Sequence, residues 1–247
     1  MKICDSHIHV GQFREVYTSP KELVAFLDDV GVDKFAVSST SIWEENYNKV
    51  LDEIKTLMSL AGQRIVPVLW ITPSMLQNNG LSQMLDSDIK WRCVKIHGVH
   101  PWDTDSIKNA VGIAQSLHCP FLMHTGGYEQ CEAGQYSSLV KNNPNVTFIL
   151  AHARPIDQTI EIMQKCPNAW ADTAFTPIEN IRALIDAKLS DRVLWGTDYP
   201  IQRAYYKDED QKKLYLNRLH EVHDTMLGTD FDRITYINFN QLFMPKH

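Results

Sequence analysis

Eight short apolar or β-branched runs, at residues 2–9, 34–38, 64–71, 92–97, 120–124, 146–152, 169–173 and 193–197, alternate along this chain with eight longer stretches. Those longer stretches, 20–30, 44–61, 74–85, 105–117, 135–142, 156–165, 177–188 and 208–226, carry apolar residues at helical spacing, as in Leu23, Phe26, Leu27 and Val30. The short runs read as strands and the long ones as amphipathic helices. Strict βα alternation requires parallel strands, because each helix serves as the crossover to the next strand and such crossovers are right-handed. Eight units are the number that closes into a (β/α)8 TIM barrel, and 247 residues lie near the ~250 typical of one. An open doubly wound sheet is the alternative. No repeat, low-complexity tract or Gly/Pro/Ser-rich linker divides the chain, so a single domain over 1–247 is expected. A final stretch, 230–243, carries Phe231, Ile234, Ile237, Leu242 and Phe243 and reads as a C-terminal helix packed on the barrel.

Charge narrows the partners. A net charge of -6 with scattered Lys and Arg gives no basic field for nucleic acid or anionic lipid. Five cysteines without a C-x-x-C pair point to reduced thiols. No charged-then-apolar leader opens the chain, and its longest apolar run, near 65–71, falls well short of the ~20 residues of a membrane span. The expectation is a cytoplasmic protein acting on a small molecule, without nucleic-acid or membrane partners, and compatible with a homo-oligomer.

The polar residues of the strands fall at their carboxyl ends. His7 and His9 close the first run, Lys95 and His97 the fourth, His124 the fifth and His152 the sixth, and Asp198 follows the eighth. Two imidazoles two residues apart on a strand point the same way and can grip one metal ion. Alternation puts Ile3, Asp5, His7 and His9 on one side and Cys4, Ser6 and Ile8 on the other. It also lets Leu122 with His124, Leu150 with His152, and Gly196 with Asp198 share inward faces. A lone His-x-His, or His124 or His152 alone, reads more simply as an ordinary strand-end or core histidine. Four strand-end histidines and an aspartate converging on the mouth of a barrel, where barrel enzymes hold their active sites, reverse that reading.

The segments Asp5-Ser6-His7-Ile8-His9, Val94-Lys95-Ile96-His97, Phe121-Leu122-Met123-His124-Thr125-Gly126, Ile149-Leu150-Ala151-His152-Ala153 and Arg192-Val193-Leu194-Trp195-Gly196-Thr197-Asp198-Tyr199-Pro200 give the chain its resemblance to a known family. It resembles the amidohydrolase superfamily, and more narrowly the amidohydrolase-related branch that also contains aromatic-acid decarboxylases such as the aminocarboxymuconate-semialdehyde enzyme. The resemblance implies that His7, His9, His124 and Asp198 bind one divalent ion, zinc first, with Mn, Fe or Co as alternatives. It makes His152 and Asp198 the catalytic pair that orients or deprotonates the attacking water. Such an ion lowers the pKa of its water towards ~7. The implied reaction is hydrolysis of an amide, ester or lactone expected to bear a carboxylate; the alternative is metal-dependent non-oxidative decarboxylation of an aromatic or enol acid. Lys95 is expected to contact substrate or pair with a carboxylate, the less favoured role being a carbamate bridging a second metal. His97 is expected to support the site without holding the metal.

The chain departs from the branch after the sixth-strand histidine, where glycines are frequent and Ala153, Arg154 and Pro155 stand here. Arg154 is a candidate clamp for a substrate carboxylate, with a plain salt bridge as its equal alternative; Arg203 is a weaker candidate. Trp43, Trp70 and Trp102 follow the second, third and fourth strands and are candidates to wall a flat substrate, although packing against helices is the simpler use of each. A metal-dependent nuclease of the TatD type shares the opening His-x-His but has a glutamate where Lys95 stands. A vestigial site on a binding scaffold would show lost ligands, and every ligand is present.

Overall fold

The computed structural model describes residues 2–226 and 228–244. Nine strands form one sheet: β1 (Ile3–Phe13), β2 (Val16–Thr18), β3 (Val32–Ser39), β4 (Ile65–Trp70), β5 (Cys93–Ile96), β6 (Phe121–His124), β7 (Phe148–Ala151), β8 (Ala169–Asp172) and β9 (Val193–Leu194). Their order is β2-β1-β3-β4-β5-β6-β7-β8-β9, with every neighbouring pair parallel except the β1–β2 hairpin. The parallel sheet curls. Beyond β9 the chain runs back along β1, where Ser6 N–H donates to the Trp195 carbonyl (2.8 Å), Asp198 N–H to His7 (2.8 Å) and His9 N–H to Tyr199 (2.7 Å). Gly196 permits this approach: a Cβ there would stand 2.9 Å from His7 Cβ.

The eight expected strands are present. The ninth, β2, is an addition: β1 continues past His9 to Phe13 and turns through Arg14, whose φ is +53°. Strand-forming Val16 and Tyr17 then pair back on Phe13 and Gln12. The helices are α1 (Pro20–Asp29), α2 (Tyr47–Ala61), α3 (Pro73–Gln77), α4 (Gly80–Leu85), α5 (Thr104–Ser116), α6 (Ser137–Asn142), α7 (Ile156–Lys165), α8 (Ile178–Asp186), α9 (Gln211–Thr225), α10 (Gly228–Asp232) and α11 (Asn238–Phe243). Helix α1 shows how sequence sets a boundary: Ser19 and Glu22 form a reciprocal capping box, Pro20 opens the first turn, and Leu23 and Leu27 are buried. The expected helix over 74–85 is two short ones, because Asn78 leaves helical geometry and its carboxamide oxygen takes the Gly80 N–H. The C-terminal helix is present, with a π-helical turn at Arg233–Ile237 between α10 and α11.

Every parallel strand contributes to one interior cluster, which contains Cys4, Ala36, Val66, Cys93, Leu122, Ile149, Trp170 and Leu194, and Phe239 and Phe243 of α11 pack into it. A second cluster joins the other sheet face to the helices and includes Ile3, Ile8, Val10 and Leu150. Two parity expectations change here. Cys4 faces the interior, and the register shift between Asp5 and Ile8 switches the alternation before His7 and His9, as a bulge does. Leu150 packs outward, and His152 belongs to no continuous inward face: it follows the strand with φ at +70°, so a turn of the backbone places its ring. No helix among the described residues is long and apolar enough to cross a membrane.

Candidate active site

At the carboxyl ends of the strands a cavity of about 720 Å³ is lined by His9, Lys95, His97, His124, His152, Arg154 and Asp198, with Trp43, Trp70, Phe175 and Tyr205 among its apolar walls. Residues from β1, β5, β6 and the segments after β7 and β9 therefore meet in one place. Several wall residues hold a left-handed backbone that non-glycine residues seldom adopt: His152 (φ +70°), Asp198 (+61°) and Phe175 (+49°). Strain of this kind gathers at functional sites.

His7 is held from behind. Its Nδ1 lies 2.8 Å from Asp172 Oδ2, so with the proton on Nδ1 its Nε2 turns a lone pair towards Lys95 and Asp198, beneath the cavity floor. His9 is arranged the same way, with Nδ1 3.0 Å from Ser38 Oγ. The two Nε2 atoms lie 3.4 and 2.8 Å from one oxygen of Asp198, and Lys95 Nζ stands 2.8 and 3.1 Å from them. Two imidazole nitrogens and a carboxylate oxygen share so small a space only with positive charge between them, whether a proton on an imidazole, the Lys95 ammonium or a metal ion. The Lys95 ammonium supplies part of it, 4.4 Å from the centre of the Trp70 ring. His7, His152 and Asp198 form a group whose donor atoms all lie within 4.8 Å of one another.

Protonation states match a metal site. Burial, then the Lys95 charge, lowers the pKa of His9 to about 3; burial likewise takes His152 to about 4 and holds His124 far below its ordinary value. Burial alone would raise Asp198, but the imidazoles of His7, His9 and His152 outweigh it and hold the carboxyl well below the usual range. Burial lowers Lys95 to about 8. Neutral His9, His124 and His152 and an ionised Asp198 are in the states that ligate a divalent ion. The compact donor group is His7, His152 and Asp198, with His9 beside it, and His124 would have to turn from the Gly126 carbonyl to join, so the chemistry of the donor set fits such an ion.

The other expected residues divide. His124 turns Nδ1 to His152 Nε2 (3.0 Å) and Nε2 to the Gly126 carbonyl (3.1 Å). His152 Nδ1 reaches the Ala174 carbonyl at 2.9 Å. His97 stacks on His124 with ring centres 3.8 Å apart, and its Nδ1 accepts the Val99 N–H. Arg154 lines the cavity, and its Nε is buried with no hydrogen-bond partner among the described residues. Gly126 makes room for it: a Cβ there, at φ +79°, would stand 2.6 Å from Arg154 Cβ. Trp43 and Trp70 wall the cavity, the less simple of the two uses open to them. Trp102 and Arg203 are not among its lining residues: the Trp102 indole donates to the His97 carbonyl (2.9 Å), and Arg203 turns away to Thr18 Oγ1 (2.8 Å).

Sequence reading passed over Asp172, although it ends the seventh expected strand. Its Oδ1 accepts the N–H groups of His152 (2.9 Å) and Ala174 (3.0 Å) while Oδ2 faces His7. In Asp172→Asn the amide oxygen can keep those two N–H partners, which leaves an NH2 group facing His7 Nδ1 and forces the imidazole proton onto Nε2. The expected outcome is a loss of metal affinity on the order of 10–100-fold, measured by competition with a chelator. Unchanged affinity would make Asp172 a residue of the fold alone.

A curled parallel sheet carrying titratable side chains at the carboxyl ends of its strands defines an α/β enzyme of the kind that works at the mouth of a barrel. The profile of the amidohydrolase family matches residues 93–226, more than half of the chain, and the protein belongs to that family. No curated protein matches it in sequence. Among solved structures it is similar to the probable 2-pyrone-4,6-dicarboxylic acid hydrolase of Acinetobacter baumannii (TM-score 0.69, 13% identity, covering 98% of this chain and 99% of that one). It is also similar to an amidohydrolase 2 of Bifidobacterium longum subsp. infantis (0.66, 13%, 98% and 98%). A third similar structure is the 4-oxalomesaconate hydratase LigJ of Rhodopseudomonas palustris (0.65, 13%, 98% and 95%). At these identities the likeness concerns the fold.

Proposed function

We propose that the protein is a single-domain, closed (β/α)8 barrel and a metal-dependent hydrolase of a small amide, ester or lactone that bears a carboxylate. His7, His9, His124 and Asp198 would hold one divalent ion, zinc being the simplest occupant. Such an ion, when bound, acidifies water and polarises a carbonyl. The observation that carries the reading is the convergence of His7 Nε2 and His9 Nε2 on one oxygen of a deprotonated Asp198. A carboxylate in that state takes the proton of the attacking water and returns it to the leaving group. His152, neutral and with its Nδ1 proton donated to the Ala174 carbonyl, keeps a lone pair on Nε2, 3.0 Å from His124 Nδ1, that would accept a hydrogen bond from the attacking water. Lys95 serves as a buried ammonium facing the substrate. The guanidinium of Arg154 takes the carboxylate in bidentate fashion. Catalysis of this kind needs neither nucleic acid nor membrane and suits a cytoplasmic enzyme.

The test is a screen of the zinc-loaded protein against lactones, esters, amides and aromatic acids, followed in water enriched in heavy oxygen. Label in a newly formed carboxylate is the expected result; release of carbon dioxide without hydrolysis would replace the reading with decarboxylation. With a substrate in hand, Arg154→Lys should raise KM by about tenfold at unchanged metal content, since it keeps the charge and loses the planar fork. An unchanged KM would remove Arg154 from the substrate site.

A further inference from the structure

The cavity wall carries three cationic side chains, Arg14, Lys95 and Arg154, against one carboxylate, Asp198, in a chain whose net charge is -6. Lys95 and Asp198 are both engaged with His7 and His9. That leaves two guanidinium groups facing the cavity without a carboxylate partner among the described residues.

Arg14 has no part in the chemistry above. It forms the tip of the β1–β2 hairpin in a left-handed conformation, φ +53°. Its guanidinium carbon lies 4.7 Å from the centre of the Tyr205 ring and 5.5 Å from that of Phe13. The adjacent carboxylate, Glu15, stands 3.5 Å from Lys207. A guanidinium seated on an aromatic face keeps its in-plane N–H donors free and pre-oriented for a planar oxyanion. Arg14 is exposed at the rim, whereas Arg154 is half-buried within.

We infer that the substrate carries two separate carboxylates, one held by Arg154 inside the cavity and the other by Arg14 at its mouth, and that Arg14 determines the preference for a dianion. The inference rests on the reading that Arg154 binds a substrate carboxylate. The cavity's volume, about 720 Å³, is in the range of sites that enclose a whole small molecule, and two cations at different depths suit an elongated diacid rather than one doubly charged group.

Isothermal titration calorimetry of the zinc-loaded protein tests this with straight-chain dicarboxylates from succinate to pimelate and the monocarboxylates of the same lengths. At least one diacid is expected to bind about tenfold tighter than its monoacid. Arg14→Gln should bring that ratio to about one while leaving the monoacid unchanged, and the exposed position of Arg14 lets the variant fold. Arg154→Gln should weaken both series. Equal binding of diacids and monoacids, no binding of either, or a preference that survives Arg14→Gln would overturn the inference. If only Arg154→Gln is silent, the failure lies with the Arg154 reading, and Arg14 stands as an anion contact by itself.

Discussion

Asp198→Asn is expected to retain much of the bound metal and to lose on the order of 10²–10⁴ in kcat, the range of general acid–base groups, with kcat/KM falling in parallel. Asparagine keeps an oxygen that can face His7 Nε2 and His9 Nε2, as Asp198 Oδ1 does at 3.4 and 2.8 Å. It cannot carry the proton. The loss is assigned to proton transfer because the wild-type carboxyl, held well below its ordinary range by the surrounding imidazoles, is ionised and offers an oxygen on which a proton can lodge, whereas the carboxamide offers none. Turnover of the metal-loaded variant within tenfold of wild type would leave Asp198 as a ligand alone and pass the role of base to His152.

The double substitution His7→Ala with His9→Ala should abolish stoichiometric metal binding and with it all activity. Both side chains lie in the middle of β1, and both present Nε2 to Asp198. The structure adds a cost that the strand-end position does not suggest. His7 shields Asp172, which is fully buried, and a buried charge without its partner is strongly destabilising. A lower melting temperature is therefore expected for the double variant. His9→Gln leaves the His7–Asp172 pair intact, so the loss of metal can be read in a stably folded protein. A full equivalent of metal in either variant, measured by plasma mass spectrometry, would remove the pair from the site.

The alternation of strand and helix was legible because apolar period is a local property of sequence, and so was the row of polar residues at strand ends. The hairpin was not: residues 10–18 fall between the first expected strand and the first expected helix, and only the left-handed turn at Arg14 folds them back as a strand pair. The inward face of His152 was inferred from Leu150, which packs outward; a positive φ cannot be read from alternation. Asp172 escaped notice because an aspartate at a strand end has no sequence partner: its meaning lies in His7, 165 positions away. Arg203 and Trp102 follow the expected ends of their strands, but side-chain direction sends one to Thr18 and the other to the His97 carbonyl.

The central claim is that buried imidazoles and an ionised aspartate form a single-metal site. Metal analysis of the wild-type protein, purified without chelator and then reloaded with zinc, tests it most directly. The expected result is close to one equivalent of divalent ion per chain, with activity that follows occupancy and does not respond to bicarbonate. Two equivalents with bicarbonate-dependent activity would make Lys95 a bridging carbamate, and a fully active protein that holds no metal would contradict the account.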